Sequence, residues 1–73
     1  MPSSSFMSIL HTMIRQKRKS LAMTQEELAK KTKVTRQAIS NIELRKADPG
    51  FSLAYKIMKV LHFSSKDILL VFQ

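Results

Sequence analysis

Apolar residues first recur at Phe6, Met7, Leu10, Met13 and Ile14, a helical spacing that stops where RQKRKS turns polar. This predicts helix one from about Phe6, preceded by a polar tail at residues 1–5 that carries no structural signal and is expected to be disordered. In TQEELAKK, Thr24 stands three residues before Glu27, the spacing at which hydroxyl and carboxylate each satisfy a free amide at a helix start. Helix two is therefore expected from near Gln25, with Leu28 and Ala29 inward, Lys30 and Lys31 outward, and basic residues suiting the negative end of its dipole. Thr35 offers a second cap, so helix three starts around Arg36 after a very short turn. KADPG supplies turn chemistry and Pro49 forbids continuation. Helix four carries Phe51, Ala54, Tyr55, Met58 and Leu61 on one face, widened by Leu53, Ile57 and Val60. Ser64 precedes Asp67 by three, opening a last helix through Ile68, Leu69, Leu70 and Val71. There is no strand signal, internal repeat or linker, so the expectation is an all-α, five-helix domain over residues 6–73.

Helices two and three, short and tightly joined, form a helix-turn-helix candidate. In VTRQAISNIELRK, positions 36, 37, 40, 41 and 44 share one side of a 3.6-residue turn, while Ala38, Ile39 and Ile42 lie opposite. One side suits a core and the other a partner. Gln37 and Asn41 carry the paired donor and acceptor that match adenine, Arg36 can donate to guanine or to a phosphate, and Ser40 completes the base-facing set. The plainer reading of the same residues is a solvated helix face.

Charge weighs against that plainer reading. Thirteen basic and five acidic residues give a formal net charge of +8 over 73 residues, a field that favours polyanions, nucleic acid first and an anionic membrane surface second. A membrane-active helix would concentrate its charge on one element, whereas here it is spread over several. No cysteine is present, and His11 and His62 have no metal-ligand spacing, so neither metal nor cofactor is expected. Glu26, Glu27, Glu43, Asp48 and Asp67 supply no nucleophile and no paired acid and base, which argues against an enzyme and a small-molecule substrate. The stretch MPSSSFMSILHTMI makes a poor signal peptide, and no apolar run approaches the roughly 18 residues that span a bilayer, so a soluble, cytoplasmic protein without a membrane partner is expected.

TQEELAKKTKVTRQAISNIE resembles the helix-turn-helix of the Xre family, the Cro- and phage-repressor-type DNA-binding domains. The likeness runs from about Ile14 to Leu69 and includes IRQKRK before the motif and PGFSLAYKIMKVL after it. It implies a compact repressor-like fold and a bacterial or phage-encoded transcriptional regulator, a repressor in the first instance, that binds double-stranded DNA. Gln25 matches the residue that family members use to hold a backbone phosphate, and Lys46 a basic residue in the loop after the recognition helix. Thr35 joins them as a phosphate-contacting candidate. Arg18 and Glu43 match an internal ion pair. The chain departs from the family where glycine is common, after helices one, two, three and four, and has Ala22, Lys33, Arg45 and His62 instead. Some of these turns must therefore differ or carry strain. Lys33 and Arg45 are candidates for additional phosphate contacts.

Consecutive apolar residues Ile68, Leu69, Leu70, Val71 and Phe72 point in every direction from a helix, and a domain this small covers only some of them. A homodimer through this segment is the expected solution, which sets two recognition helices about 34 Å apart on a pseudo-palindromic operator. The pattern leaves open whether Phe6 and Met7 pack in the core or in that interface. The competing assignment is an antitoxin-like or antirepressor interaction module on the same fold. Such a module would not need Arg36, Gln37, Asn41 and Lys46 on one surface.

Overall fold

A computed structural model of the chain describes the backbone from Ser4 to Val71 and the side chains from Ile9 to Val71. Phe72, and the side chains of Phe6 and Met7, lie outside the described residues. Among the described residues the elements are five helices and no strand: α1 (Ser4–Ser20), α2 (Gln25–Thr32), α3 (Arg36–Glu43), α4 (Phe51–Val60) and α5 (Ser65–Val71). Ser4 and Ser5, expected in the polar tail, are the first turn of α1.

Hydroxyl groups open three of these helices. The Thr24 oxygen accepts the Glu27 amide at 3.0 Å while the Thr24 amide donates to the Glu27 carboxylate at 2.8 Å, a complete capping box. Thr35 accepts from the Ala38 amide at 3.0 Å. At α5, Ser64 and Asp67 repeat the reciprocal pair at 2.8 and 3.1 Å, and Lys17 of α1 reaches the Asp67 carboxylate at 2.6 Å.

The helix ends are built differently. Ala22, Lys33, Arg45 and His62 all have positive φ, from 54° to 62°, the left-handed conformation that favours glycine. Each sits in the same pair of hydrogen bonds. After α1 the Met23 amide donates to the Arg18 carbonyl and the Ala22 amide to Lys19; after α2 the pairs are Val34 to Ala29 and Lys33 to Lys30. After α3 they are Lys46 to Asn41 and Arg45 to Ile42, and after α4 Phe63 to Met58 and His62 to Lys59. This is the Schellman turn, four times over. The turns therefore keep the geometry that glycine would adopt, and the strain is carried by side-chain-bearing residues. For α3 the stop is Arg45, ahead of KADPG, and Pro49 follows a helix that has already ended. Gly50, the only glycine of the chain, has φ −60° and needs none of its freedom.

The core gathers Leu10 and Ile14 from α1, Leu28 and Ala29 from α2, Ile39 and Ile42 from α3, Ala54, Ile57 and Met58 from α4, with Leu61 and Val71. In this arrangement α2 packs on α3 and α4, and α1 on α3 and α5. Thr32 is buried, and its hydroxyl donates to the Leu28 carbonyl at 2.8 Å, so it costs no unpaired polar group.

Two expectations are corrected. On α4 the buried stripe is Ala54, Ile57, Met58 and Leu61, whereas Phe51 and Tyr55 are 70% and 53% exposed. Positions 54, 57, 58 and 61 satisfy the same periodicity as 51, 54, 55 and 58, one rotated from the other, and the core takes the first set. On α5, Val71 is 2% exposed and Ile68 packs against the same core. These two lie three apart on the inward face and hold α5 to its own domain; Val71 is closed to a second copy, whereas Ile68 is only partly buried. Leu69 and Leu70 remain 68% and 47% exposed.

Candidate nucleic-acid interface

Helix α3 is held by its inner face, with Ile39 and Ile42 fixed in the core and Ala38 half-buried. That leaves Arg36 and Gln37 exposed at its first turn and Ser40 and Asn41 half-exposed one turn later. Gln37 donates through Nε2 to Asn41 Oδ1 at 3.1 Å. The two amides thus lie edge to edge along the helix, with the Gln37 oxygen and the Asn41 nitrogen left as an acceptor and a donor for a partner.

Beneath this face lies a buried ion pair. Arg18 donates to Glu43 in two-pronged fashion, Nε to Oε2 at 2.7 Å and Nη2 to Oε1 at 3.0 Å, and Nη1 donates to the Met23 carbonyl at 2.9 Å. The two side chains are only 11% and 3% exposed. Such a planar, charge-assisted pair locks α3 to the end of α1.

Gln25 connects the pair to the outer face. Its Nε2 donates to Glu43 Oε1 at 3.1 Å, and its Oε1 accepts from Arg36 Nη1 at 3.3 Å. With one amide hydrogen held by Glu43, the other remains for an outside acceptor. Thr35 has its oxygen engaged by the α3 cap, so its hydroxyl hydrogen is what it can offer.

Cations flank α3 on both sides. After it, Arg45 and Lys46 are exposed in the turn, and Lys33 is exposed in the turn before it. On the opposite flank a shallow basin of about 300 Å³ is lined by Arg15, Arg18 and Lys19 of α1 together with Gln25, Ser40 and Glu43. Arg15 and Lys19 are candidate site residues that sequence reasoning did not single out. Their spacing of four in IRQKRK places both on one face of α1, and that spacing was the available signal. Leu69 and Leu70, expected in a dimer interface, stand on α5, which packs mainly on α1. Among the described residues no group of histidine, cysteine and carboxylate side chains could hold a metal ion, and no helix is long and apolar enough to cross a membrane.

The family model described as "Helix-turn-helix" matches residues 14–68, the greater part of the chain. The chain belongs to the helix-turn-helix family of the Xre type. Relatives in this family include an "Uncharacterized HTH-type transcriptional regulator" of Archaeoglobus fulgidus, 44% identical over 59 residues, which cover 81% of this chain and 84% of the relative. One of the same description from Methanothermobacter thermautotrophicus is 44% identical over 52 residues, covering 71% and 75%. Another from Methanocaldococcus jannaschii is 50% identical over 46 residues, covering 63% and 70%. No solved structure matches the chain. Within this helix-turn-helix family α2 and α3 are the motif, and the matched span takes in every residue of the candidate interface described above.

Proposed function

We propose that this helix-turn-helix protein is a transcriptional regulator that binds double-stranded DNA sequence-specifically in the cytoplasm, as a homodimer on a pseudo-palindromic operator, and that it acts as a repressor. The observation that carries this reading is the outer face of α3: two amide side chains aligned edge to edge, free of the scaffold, with cations on either flank. A helix presented this way fits the major groove, where paired donors and acceptors discriminate bases. Gln37 and Asn41 read adenine, Ser40 supports them, and Arg36, steered by Gln25, reads guanine or clamps a phosphate. Lys33, Arg45, Lys46, Arg15 and Lys19, with the free amide hydrogen of Gln25 and the hydroxyl of Thr35, hold the backbone on each side and set register without reading sequence. Leu69 and Leu70, joined by Phe72, pair two copies.

The test begins by selecting bound fragments from a random DNA library. Gln37→Ala and Asn41→Ala should each cost about 1–3 kcal/mol on the selected operator and relax preference at defined positions, with non-specific binding nearly intact. Lys46→Ala should weaken all sequences alike and flatten the log–log salt dependence by about 0.9. Leu70→Asp should give a folded monomer in analytical ultracentrifugation with weaker operator binding. Equal losses on operator and random DNA for all the α3 variants would remove sequence reading and favour a protein-interaction role.

A further inference from the structure

Four lysines gather away from the α3 face. Lys31 and Lys33, at the end of α2 and in the turn after it, face Lys56 and Lys59 of α4 across a depression of about 330 Å³ floored by Thr32 and Val60. A second depression of about 450 Å³ shares Lys31 and Val60 and extends the groove to Met23 and His62. No carboxylate lines either part, and none of the four lysines is in an ion pair among the described residues. Glu27, one turn before Lys31 and the natural partner for it, is turned back to the Thr24 amide in the capping box. Lys59 lies 5.8 Å from the centre of the Tyr55 ring, which steadies its ammonium without neutralising it.

We infer that this lysine groove between α2 and α4 is a second polyanion site that takes the phosphate backbone of a second DNA duplex. Two observations set it apart from the α3 interface. No α3 residue lines it, and three of its four lysines, Lys31, Lys56 and Lys59, have no place in the α3 interface, which the groove meets only at Lys33. A groove of one charge sign with a partly apolar floor concentrates field on whatever enters it. Its cations are spread along two helices, with Lys56 and Lys59 one turn apart, which suits a row of phosphates better than a single ion. The site does not depend on α3 reading sequence.

The test uses the full chain bound to an immobilised operator duplex obtained by selection, then offers a labelled 20-base-pair duplex of random sequence. The parent should retain the second duplex, and Lys56→Gln/Lys59→Gln should retain roughly tenfold less at equal operator occupancy, since two phosphate contacts are lost. If selection yields no operator, the same pair is compared for direct binding of the random duplex, where the variant's salt slope should fall by about 1.8. Equal retention, or an unchanged slope, by parent and variant overturns the inference and leaves the lysines as solvated charge. It is also overturned if the parent captures nothing in trans but binds an operator lengthened at both ends more tightly, with the variant losing that gain; the groove would then follow the same duplex.

Discussion

At the starts of α2, α3 and α5 a hydroxyl of Thr24, Thr35 or Ser64 takes up a free amide, and two of the three add a carboxylate that takes up another. At the ends of α1, α2, α3 and α4 the same backbone problem, a run of unpaired carbonyls, is met by a left-handed residue that carries a Cβ. The starts are stabilised by residues suited to the job. Each end spends about 1 kcal/mol or more of conformational strain to obtain its two hydrogen bonds. Good local chemistry and strained local chemistry thus alternate along the chain, and the core must offset the second.

The largest effect should come where an end is buttressed from outside. Arg18 accepts the Met23 amide and also donates to the Met23 carbonyl, so the end of α1 leans on the ion pair with Glu43. Glu43→Ala leaves a mostly buried guanidinium unpaired and is expected to cost ~3–5 kcal/mol. For a domain of this size that lowers the thermal midpoint by roughly 12 °C or more in a calorimetric melt. Next come the starts: Thr24→Ala or Thr35→Ala should destabilise by about 1 kcal/mol each, measured by urea titration with an unchanged slope. The ends should respond in the opposite direction. Glycine at Ala22, Lys33, Arg45 or His62 relieves strain and is expected to stabilise by about 0.5–1 kcal/mol net of glycine's greater freedom in the unfolded chain, whereas Lys30→Gly, inside α2, should cost about 1 kcal/mol. If all five glycines destabilise alike, the ends are not strained and the contrast between starts and ends fails.

The smallest effect is electrostatic. The hydrogen bond from Lys17, and after it the Ser64 amide, hold the Asp67 carboxyl below its ordinary value. A carboxyl depressed in the folded state adds stability that is fully present above its unfolded pKa, about 3.9, and is lost as pH falls through the lower folded value. Melting temperature should therefore owe nothing to Asp67 titration between pH 7 and about pH 5 and should fall in more acid solution. Asp67→Asn should reduce that acid slope slightly.

The same contrast explains what could be read from the chain beforehand. Helix starts are legible because cap and partner lie three residues apart, and Gln25 and Arg36 are the first helical residues on that basis. Helix ends are obscure to local chemistry because a left-handed position announces itself through glycine, and here the one glycine stands at a start that does not require it; the family resemblance alone pointed to Ala22, Lys33, Arg45 and His62. Periodicity found α4 but not its rotation, since Phe51 and Tyr55 fit the template as well as Ile57 and Leu61 do. Only packing against α2 decides between them. The faces of α3 were legible from spacing alone. The link from Arg36 through Gln25 to Glu43 was not, because it joins residues 11 and 18 apart that only the fold brings together.

That link divides the outer residues of α3 into two kinds. Among the described residues Gln37 and Asn41 are hydrogen-bonded to each other and to no side chain of the scaffold, so they can be exchanged as a pair without disturbing what holds the domain together. Arg36 is tied through Gln25 to the buried carboxylate, and a change there alters the surroundings of the residue on which α3 is anchored. Over evolutionary time, or in a laboratory library, substitutions at the first two positions should need no compensating change in the scaffold. At the third they should appear together with a change at Gln25, so new binding preferences can arise by drift at 37 and 41 but need a paired step at 36.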